Sequence, residues 1–152
     1  MQKDFDSWNS QKKKVHLTEG NVLFYEREVW WVKLGINVGS EIDGRHELFL
    51  RPVIIIRKFN KDMAIVLPTT TQDKTNKYYF DVLGVEGKIY KACLSQIKTI
   101  SSKRLFRKID TINKNDYSKL LNKICQTIKG TLETTKPPFG GISEAEAHNH
   151  IQ

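Results

Sequence analysis

The sequence predicts a mainly β domain with a helix at either end. Three observations carry this. Val53-Ile54-Ile55-Ile56 is four β-branched residues in a row, the mark of a central buried strand. Short runs rich in Val, Ile, Trp and Tyr recur between turn signals over residues 22–112. Tyr117, Leu120, Leu121, Ile124 and Ile128 then recur at i, i+3, i+4, i+7 and i+11, the spacing of an amphipathic helix.

The elements follow in order. Residues 4–15 read as a short helix with a sparse apolar stripe of Phe5, Trp8 and Val15. Asp4 and Asp6 at its start and Lys12, Lys13 and Lys14 at its end suit the helix dipole. Residues 22–34 read as a strand covered on both faces, with Val29 and Trp31 on one side and Trp30, Val32 and Leu34 on the other. Gly35, Gly39 and Gly44 mark a loop that runs on toward Leu50. Residues 52–59 form the next strand, with Pro52 at its first residue, where a missing N–H is tolerated. Asn60-Lys61-Asp62 turns the chain into residues 63–68, making an antiparallel hairpin. Strands are expected at 78–85, 89–94 and 105–112, with extended chain around Ile97 and Thr99. Asn113 caps the last helix, and Gly130 stops it. Lys136-Pro137-Pro138 then opens a tail over residues 131–152 that is expected to be mobile.

At 152 residues the chain is expected to form one domain. Lys and Arg total 25 against 17 Asp and Glu, a net charge of +8. The excess lies ahead of Thr131, because the tail carries Lys136 against Glu133, Glu144 and Glu146. Such a surface attracts polyanions, nucleic acid first, unless it is merely a soluble basic surface. Cys93 and Cys125 match no zinc spacing and read as buried free thiols, consistent with a reducing, cytoplasmic setting. No stretch has the roughly 18 apolar residues of a membrane span, and residues 1–14 lack the apolar region of a secretory signal. His148 and His150 have no Cys or Asp cluster beside them, so no metal is assigned to them.

The chemistry of the chain points to Arg51 and Thr70. Arg51 opens one hairpin strand and Thr70 ends the other, so hairpin geometry puts them at or near one level. A guanidinium stays charged and presents a fork that fits phosphate oxygens, and a hydroxyl beside it donates a further hydrogen bond. On a basic chain this pair suggests work on a phosphodiester. An ion pair of Arg51 with Glu41 or Asp43, and simple β-propensity at Thr70, are the plainer alternatives. Thr69 or Thr71 takes the place of Thr70 if the pleat points the other way.

Glu28-Val29-Trp30-Trp31-Val32, Gly39-Ser40-Glu41, Arg51-Pro52-Val53-Ile54-Ile55-Ile56, Leu67-Pro68-Thr69-Thr70-Thr71 and Leu94-Ser95-Gln96-Ile97-Lys98-Thr99-Ile100 stand in this order. In order and spacing the set resembles the MazF/PemK toxins of bacterial type II toxin–antitoxin systems. The resemblance runs from about Glu28 to Gly130, within a single toxin domain over residues 1–130 whose leading residues 1–20 lie outside the common core. It implies a small, strongly bent SH3-like β-barrel of the MazF/PemK/CcdB kind, with helices at its edge.

 It implies a homodimer without cofactor or metal, and an endoribonuclease that cuts single-stranded RNA, including mRNA, at short sequences. It also implies a cognate antitoxin that inserts a segment into the RNA groove. Carried over residue by residue, the family's catalytic Arg and Thr land on Arg51 and Thr70, and the Glu of Gly-Ser-Glu lands on Glu41. Two departures stand out. The loop from Asp43 to Leu50 is longer than is usual in the family, and Cys93 and Ser95 stand where some members carry Arg and Asp.

Metal-free cleavage of RNA uses the substrate's own 2′-OH, which DNA lacks. The expected products are a 2′,3′-cyclic phosphate and a 5′-OH. Arg51 would stabilise charge on the phosphorane, Thr70 would bond the same phosphate, and Glu41 would accept the 2′-OH proton. Glu41 as a solvated loop carboxylate, and His46 as the base, are the alternatives. Lys74, Lys77, Lys98 and Arg57 are candidates for phosphate contacts, or solvated surface charges. Gln96 either reads a base edge or holds a loop, and Trp30, Trp31 and Phe49 either stack bases or pack inward. Two other functions fit the sequence: a CcdB-like toxin that binds a protein such as gyrase without cleaving anything, and a basic SH3-like RNA-binding module.

Overall fold

The computed structural model describes residues 2–130. The expected tail over 131–152 lies outside the described residues. Helix α1 (Phe5–Leu17) leads into strands β1 (Glu28–Lys33), β2 (Leu50–Lys58), β3 (Met63–Thr70), β4 (Tyr79–Leu83), β5 (Ile89–Cys93), β6 (Lys98–Ser101) and β7 (Leu105–Thr111), and helix α2 (Lys114–Lys129) follows. The mainly β class with a helix at each end is therefore the observed one.

Every strand pairing is antiparallel, and the sheet runs β4-β5-β3-β2-β1-β7 with β6 also on β3. Strand β3 is shared. Met63–Val66 pair with β6, whereas Thr69 and Thr70 pair with β5, so the sheet must bend sharply along this one strand. The two outer strands then meet. A bridge joins Gly84, just past β4, to Ile112, just past β7, and the amide of Val85 donates to the carbonyl of Thr111 at 2.8 Å. That contact closes the sheet into a small barrel.

The β-branched run of β2 does what its pattern predicts. Ile54 and Ile56 enter one apolar cluster with Leu67, Val82, Ile112 and Leu120, while Val53 and Ile55 enter a second with Trp30, Val66 and Leu105. Both faces of this strand are buried. At the hairpin turn Asn60 Oδ1 accepts from the amides of Asp62 and Met63, an Asx turn that fixes the reversal.

Helix α2 starts where Asn113 accepts from the Asp116 amide at 2.9 Å, and it ends at Gly130 with φ 69°. Leu120 and Ile124 are buried against the barrel, with Tyr117 and Leu121 half-buried beside them. Ile128 departs from the expected stripe: it is 70% exposed, because the helix has by then passed the end of the barrel core. Cys125 also departs from its expectation of burial. It sits one residue past Ile124, about 100° round the helix, and faces out, whereas Cys93 is buried.

The first strand is shorter than expected. Residues 22–27 are irregular, and Arg27 has φ 74°. The carboxylate of Glu28 accepts from the Tyr25 amide and from Trp30 Nε1, both at 2.9 Å, which folds the chain into a turn ahead of β1. Residues 94–96 form one turn of 3-10 helix instead of continuing β5.

Helix α1 packs on the loop between β1 and β2. Gly35 has φ 88°, and a Cβ there would lie 2.1 Å from Cε2 of Trp8. Trp8 meets Phe49 edge-on at 5.5 Å between ring centres. Lys3 donates to the carbonyls of Asn37 and Gly39 and pairs with the Asp43 carboxylate at 2.9 Å.

Candidate functional site

The hairpin register decides which residues meet at the rim. Lys58 pairs with Ala64 and Arg57 with Ile65, but then a bulge at Ile56 shifts the ladder by one, so that Ile55 faces Val66 and Val53 faces Pro68. Continued along the strands, the shifted register sets Arg51 opposite Thr70. Without the bulge Arg51 would face Thr71.

A pocket of about 130 Å³ opens at this rim, lined by Trp31, Arg45, His46, Leu50, Arg51, Pro52, Thr69, Thr70 and Thr71. The Arg51 side chain is buried at its root. Its Nε donates to the Asp43 carbonyl, and its Nη1 donates to the Thr69 carbonyl at 3.0 Å. Among the described residues no acceptor meets Nη2, and Arg51 lines the pocket.

Neither carboxylate expected beside Arg51 pairs with it. The Asp43 carboxylate is taken by Lys3 and by the Asn37 amide at 2.6 Å, and the Glu41 carboxylate accepts from the Val38 amide at 3.1 Å. Burial therefore bears on the Arg51 guanidinium directly and lowers its pKa, and the charge of Arg45 lowers it further, with Cys93 and Asp43 opposing. Arginine keeps its proton even so. The result is a fixed cation with a second cation beside it and no ion pair among the described residues. An anion in the pocket would relieve that cost.

The three threonines divide their hydroxyls. Thr69 is buried and donates to the Pro52 carbonyl at 3.1 Å. Thr70 is half-buried, and its oxygen accepts from the Gln72 amide at 3.1 Å, which leaves its O–H to donate into the pocket. Thr71 is exposed at the mouth.

The other sequence candidates scatter. Glu41 borders a different cavity with Trp8 and Arg104 and does not line the pocket of Arg51. Gln96 holds a loop: its Oε1 accepts from the Ile42 amide at 3.0 Å and its Nε2 donates to the Ser40 carbonyl at 3.3 Å. Lys98 is half-buried, and its pKa is lowered by burial and by Arg104, with Glu41 and Asp43 opposing. Arg57 lies at the turn end of β2, roughly 20 Å along the strand from Arg51, and pairs with Glu26 at 3.2 Å. Lys77 covers the Tyr78 ring near the end of α2, and Lys74 is exposed on the preceding loop. Trp30 is in the core, Phe49 is buried against Trp8, and only Trp31 of the three aromatics lines the pocket.

Arg45, which the sequence pattern does not single out, lines the pocket together with His46. Both sit in a tight loop closed by Arg45 and Leu50, which exchange amide–carbonyl bonds at 2.8 and 3.0 Å. His46 and Phe49 hold φ 61° and 52°, a strained pair in one short loop. The signal in the sequence was proximity alone, six residues ahead of Arg51. Among the described residues no three His, Cys, Asp or Glu side chains come together as metal ligands, and no helix is long and apolar enough to cross a membrane.

A family model described as PemK-like, MazF-like toxin of type II toxin–antitoxin system matches residues 25–128. No curated protein sequence matches significantly. Among solved structures, the chain is similar to one described as an endoribonuclease in complex with its cognate antitoxin from Mycobacterial species. That likeness has 13% identity and a TM-score of 0.48, and it covers 76% of this chain and 100% of the other.

Proposed function

The chain belongs to the PemK-like, MazF-like toxins of type II toxin–antitoxin systems, and on that premise we propose that it is a metal-independent endoribonuclease acting on single-stranded RNA, mRNA included. One observation carries the reading: a buried arginine with no carboxylate partner and a donor left over lines a pocket shared with Arg45, His46 and Thr70. A phosphodiester satisfies that pocket. The substrate's 2′-oxygen attacks phosphorus, forming the 2′,3′-cyclic phosphate, and the bond to the 5′-oxygen breaks. Arg51 and Arg45 stabilise the non-bridging oxygens as charge builds, and Thr70 donates to the same group.

His46 is favoured over Glu41 as acceptor of the 2′-OH proton, because His46 lines the pocket and Glu41 borders another cavity. The proton returns to the departing 5′-oxygen, so the chemistry balances without a redox partner. Lys98, Lys74 and Lys77 contribute to the basic field along which a longer strand binds, while Gln96 serves by holding the loop at Ser40 and Ile42. The active form is a cytoplasmic homodimer, and a cognate antitoxin neutralises it by covering the pocket. The net charge of +8 supports an acidic inhibitory segment.

The test is purified protein with single-stranded RNA in EDTA. Discrete fragments ending in 2′,3′-cyclic phosphate are expected, with none from Arg51→Ala. Intact RNA in the wild-type reaction sinks the proposal. Growth arrest that survives Arg51→Ala would do the same and favour a toxin acting through protein binding.

A further inference from the structure

We propose that the groove next to the phosphate pocket is a nucleobase site, formed by the long loop and β7, that sets which base may flank the cut. The inference rests on the nuclease reading of the neighbouring pocket. The groove holds about 600 Å³ and shares Trp31, Arg45, His46 and Leu50 with the pocket of Arg51, so the two are one continuous surface. The rest of its lining is Glu47, Leu48, Phe106 and Arg107, so two arginines, Arg45 and Arg107, outweigh one carboxylate in the groove.

The sheet itself supplies Phe106 and Arg107. Val32 pairs with Leu105 and Trp31 with Arg107, so Phe106 is the extra residue of a bulge in β7. A bulge re-aims a side chain, and here Phe106 is 51% exposed and lines the groove. An exposed Phe on a soluble barrel is unremarkable alone. This one has cations near it: Arg107 and Arg45 line the same groove, and Lys33 Nζ lies 5.9 Å from the ring centre. A flat apolar ring bordered by cations is complementary to a nucleotide, whose base stacks while its phosphates meet the charges. The loop that supplies Arg45, His46 and Leu48 also lines the pocket of Arg51 through Arg45 and His46, so one loop serves both sites.

Phe106 and Arg107 are both exposed, so replacing either leaves the core intact. The experiment compares wild type, Phe106→Ala and Arg107→Ala on two probes. One is a random-sequence single-stranded RNA pool, read by sequencing the cut ends. The other is the same pool carrying 2′-O-methyl groups, which cannot be cleaved and reports affinity alone. Phe106→Ala should bind the methylated pool roughly ten-fold more weakly and flatten the preference at one base beside the cut. Arg107→Ala should weaken binding with a shallower salt dependence. Wild-type affinity and an unchanged cut preference in both variants would overturn the inference and leave the groove to a protein chain. If wild type cleaves nothing, Phe106-dependent binding upholds the base site while the nuclease reading falls, and Phe106-independent binding overturns the base site.

Discussion

Replacing Arg51 by alanine changes two quantities that must be measured apart. The guanidinium donates to the carbonyls of Asp43 and Thr69, so its loss removes two hydrogen bonds from a charged donor. Each is worth about 1.5–3 kcal/mol, but relief of an unpaired buried cation offsets part of the loss. A net destabilisation of about 1–3 kcal/mol follows, or roughly 4–10 °C in Tm for a domain of this size. The chemical effect is separate and larger. Removing a preorganised donor to a developing anion costs about 10²–10³ in rate.

The assay is therefore a thermal melt by circular dichroism, followed by cleavage of a labelled RNA at a temperature where both proteins are folded. Arg51→Lys provides the second variant. It keeps the charge, but one ammonium cannot hold both carbonyls and still reach a phosphate in the same geometry. Its activity should fall between those of wild type and Arg51→Ala. Folded Arg51→Ala that cuts within about threefold of wild type would refute the reasoning, because the pocket would then owe its chemistry to other residues.

Three further outcomes are expected. Gly35→Ala forces a Cβ against the Trp8 indole at a positive φ, and should cost about 2–4 kcal/mol in chemical denaturation; a change below about 0.5 kcal/mol would mean that α1 does not pack there. Burial raises the Cys93 thiol to a pKa of about 11, against the opposing charge of Arg51, so at neutral pH iodoacetamide should label exposed Cys125 and spare Cys93, and equal labelling by mass spectrometry contradicts this. Burial pushes the Glu28 carboxyl up, but hydrogen bonds from Lys108, Trp30 and the Tyr25 amide hold its pKa below the ordinary value. The stabilisation is thus fully present above the ordinary glutamate range and lost as pH falls through the depressed value. Urea melts should show the advantage of wild type over Glu28→Gln shrinking in acid, and a gap that widened there would reverse the sign.

Much of this protein was legible in its sequence because the signals are local. The aliphatic run of β2, the Asn60 turn, the Asn113 cap and the helical spacing of Leu120 and Ile124 each act within a few residues, so the mainly β frame with its two helices followed from them. That Arg51 and Thr70 share a rim also followed, since a hairpin ties its own ends together. The rest was decided by contacts between distant segments. The bulge at Ile56 selects Thr70 over Thr71, the bonds to Gln96 hold Ser40 and Ile42, and Lys3, just ahead of α1, takes the Asp43 carboxylate away from Arg51. Ladder register and loop conformation depend on which remote groups satisfy a given backbone amide or carboxylate, and a one-residue shift turns a side chain to the other face. For that reason the sequence could point to Arg51 as a cation at the hairpin rim, while only the folded chain placed Arg45 and His46 in the same pocket and Glu41 at another.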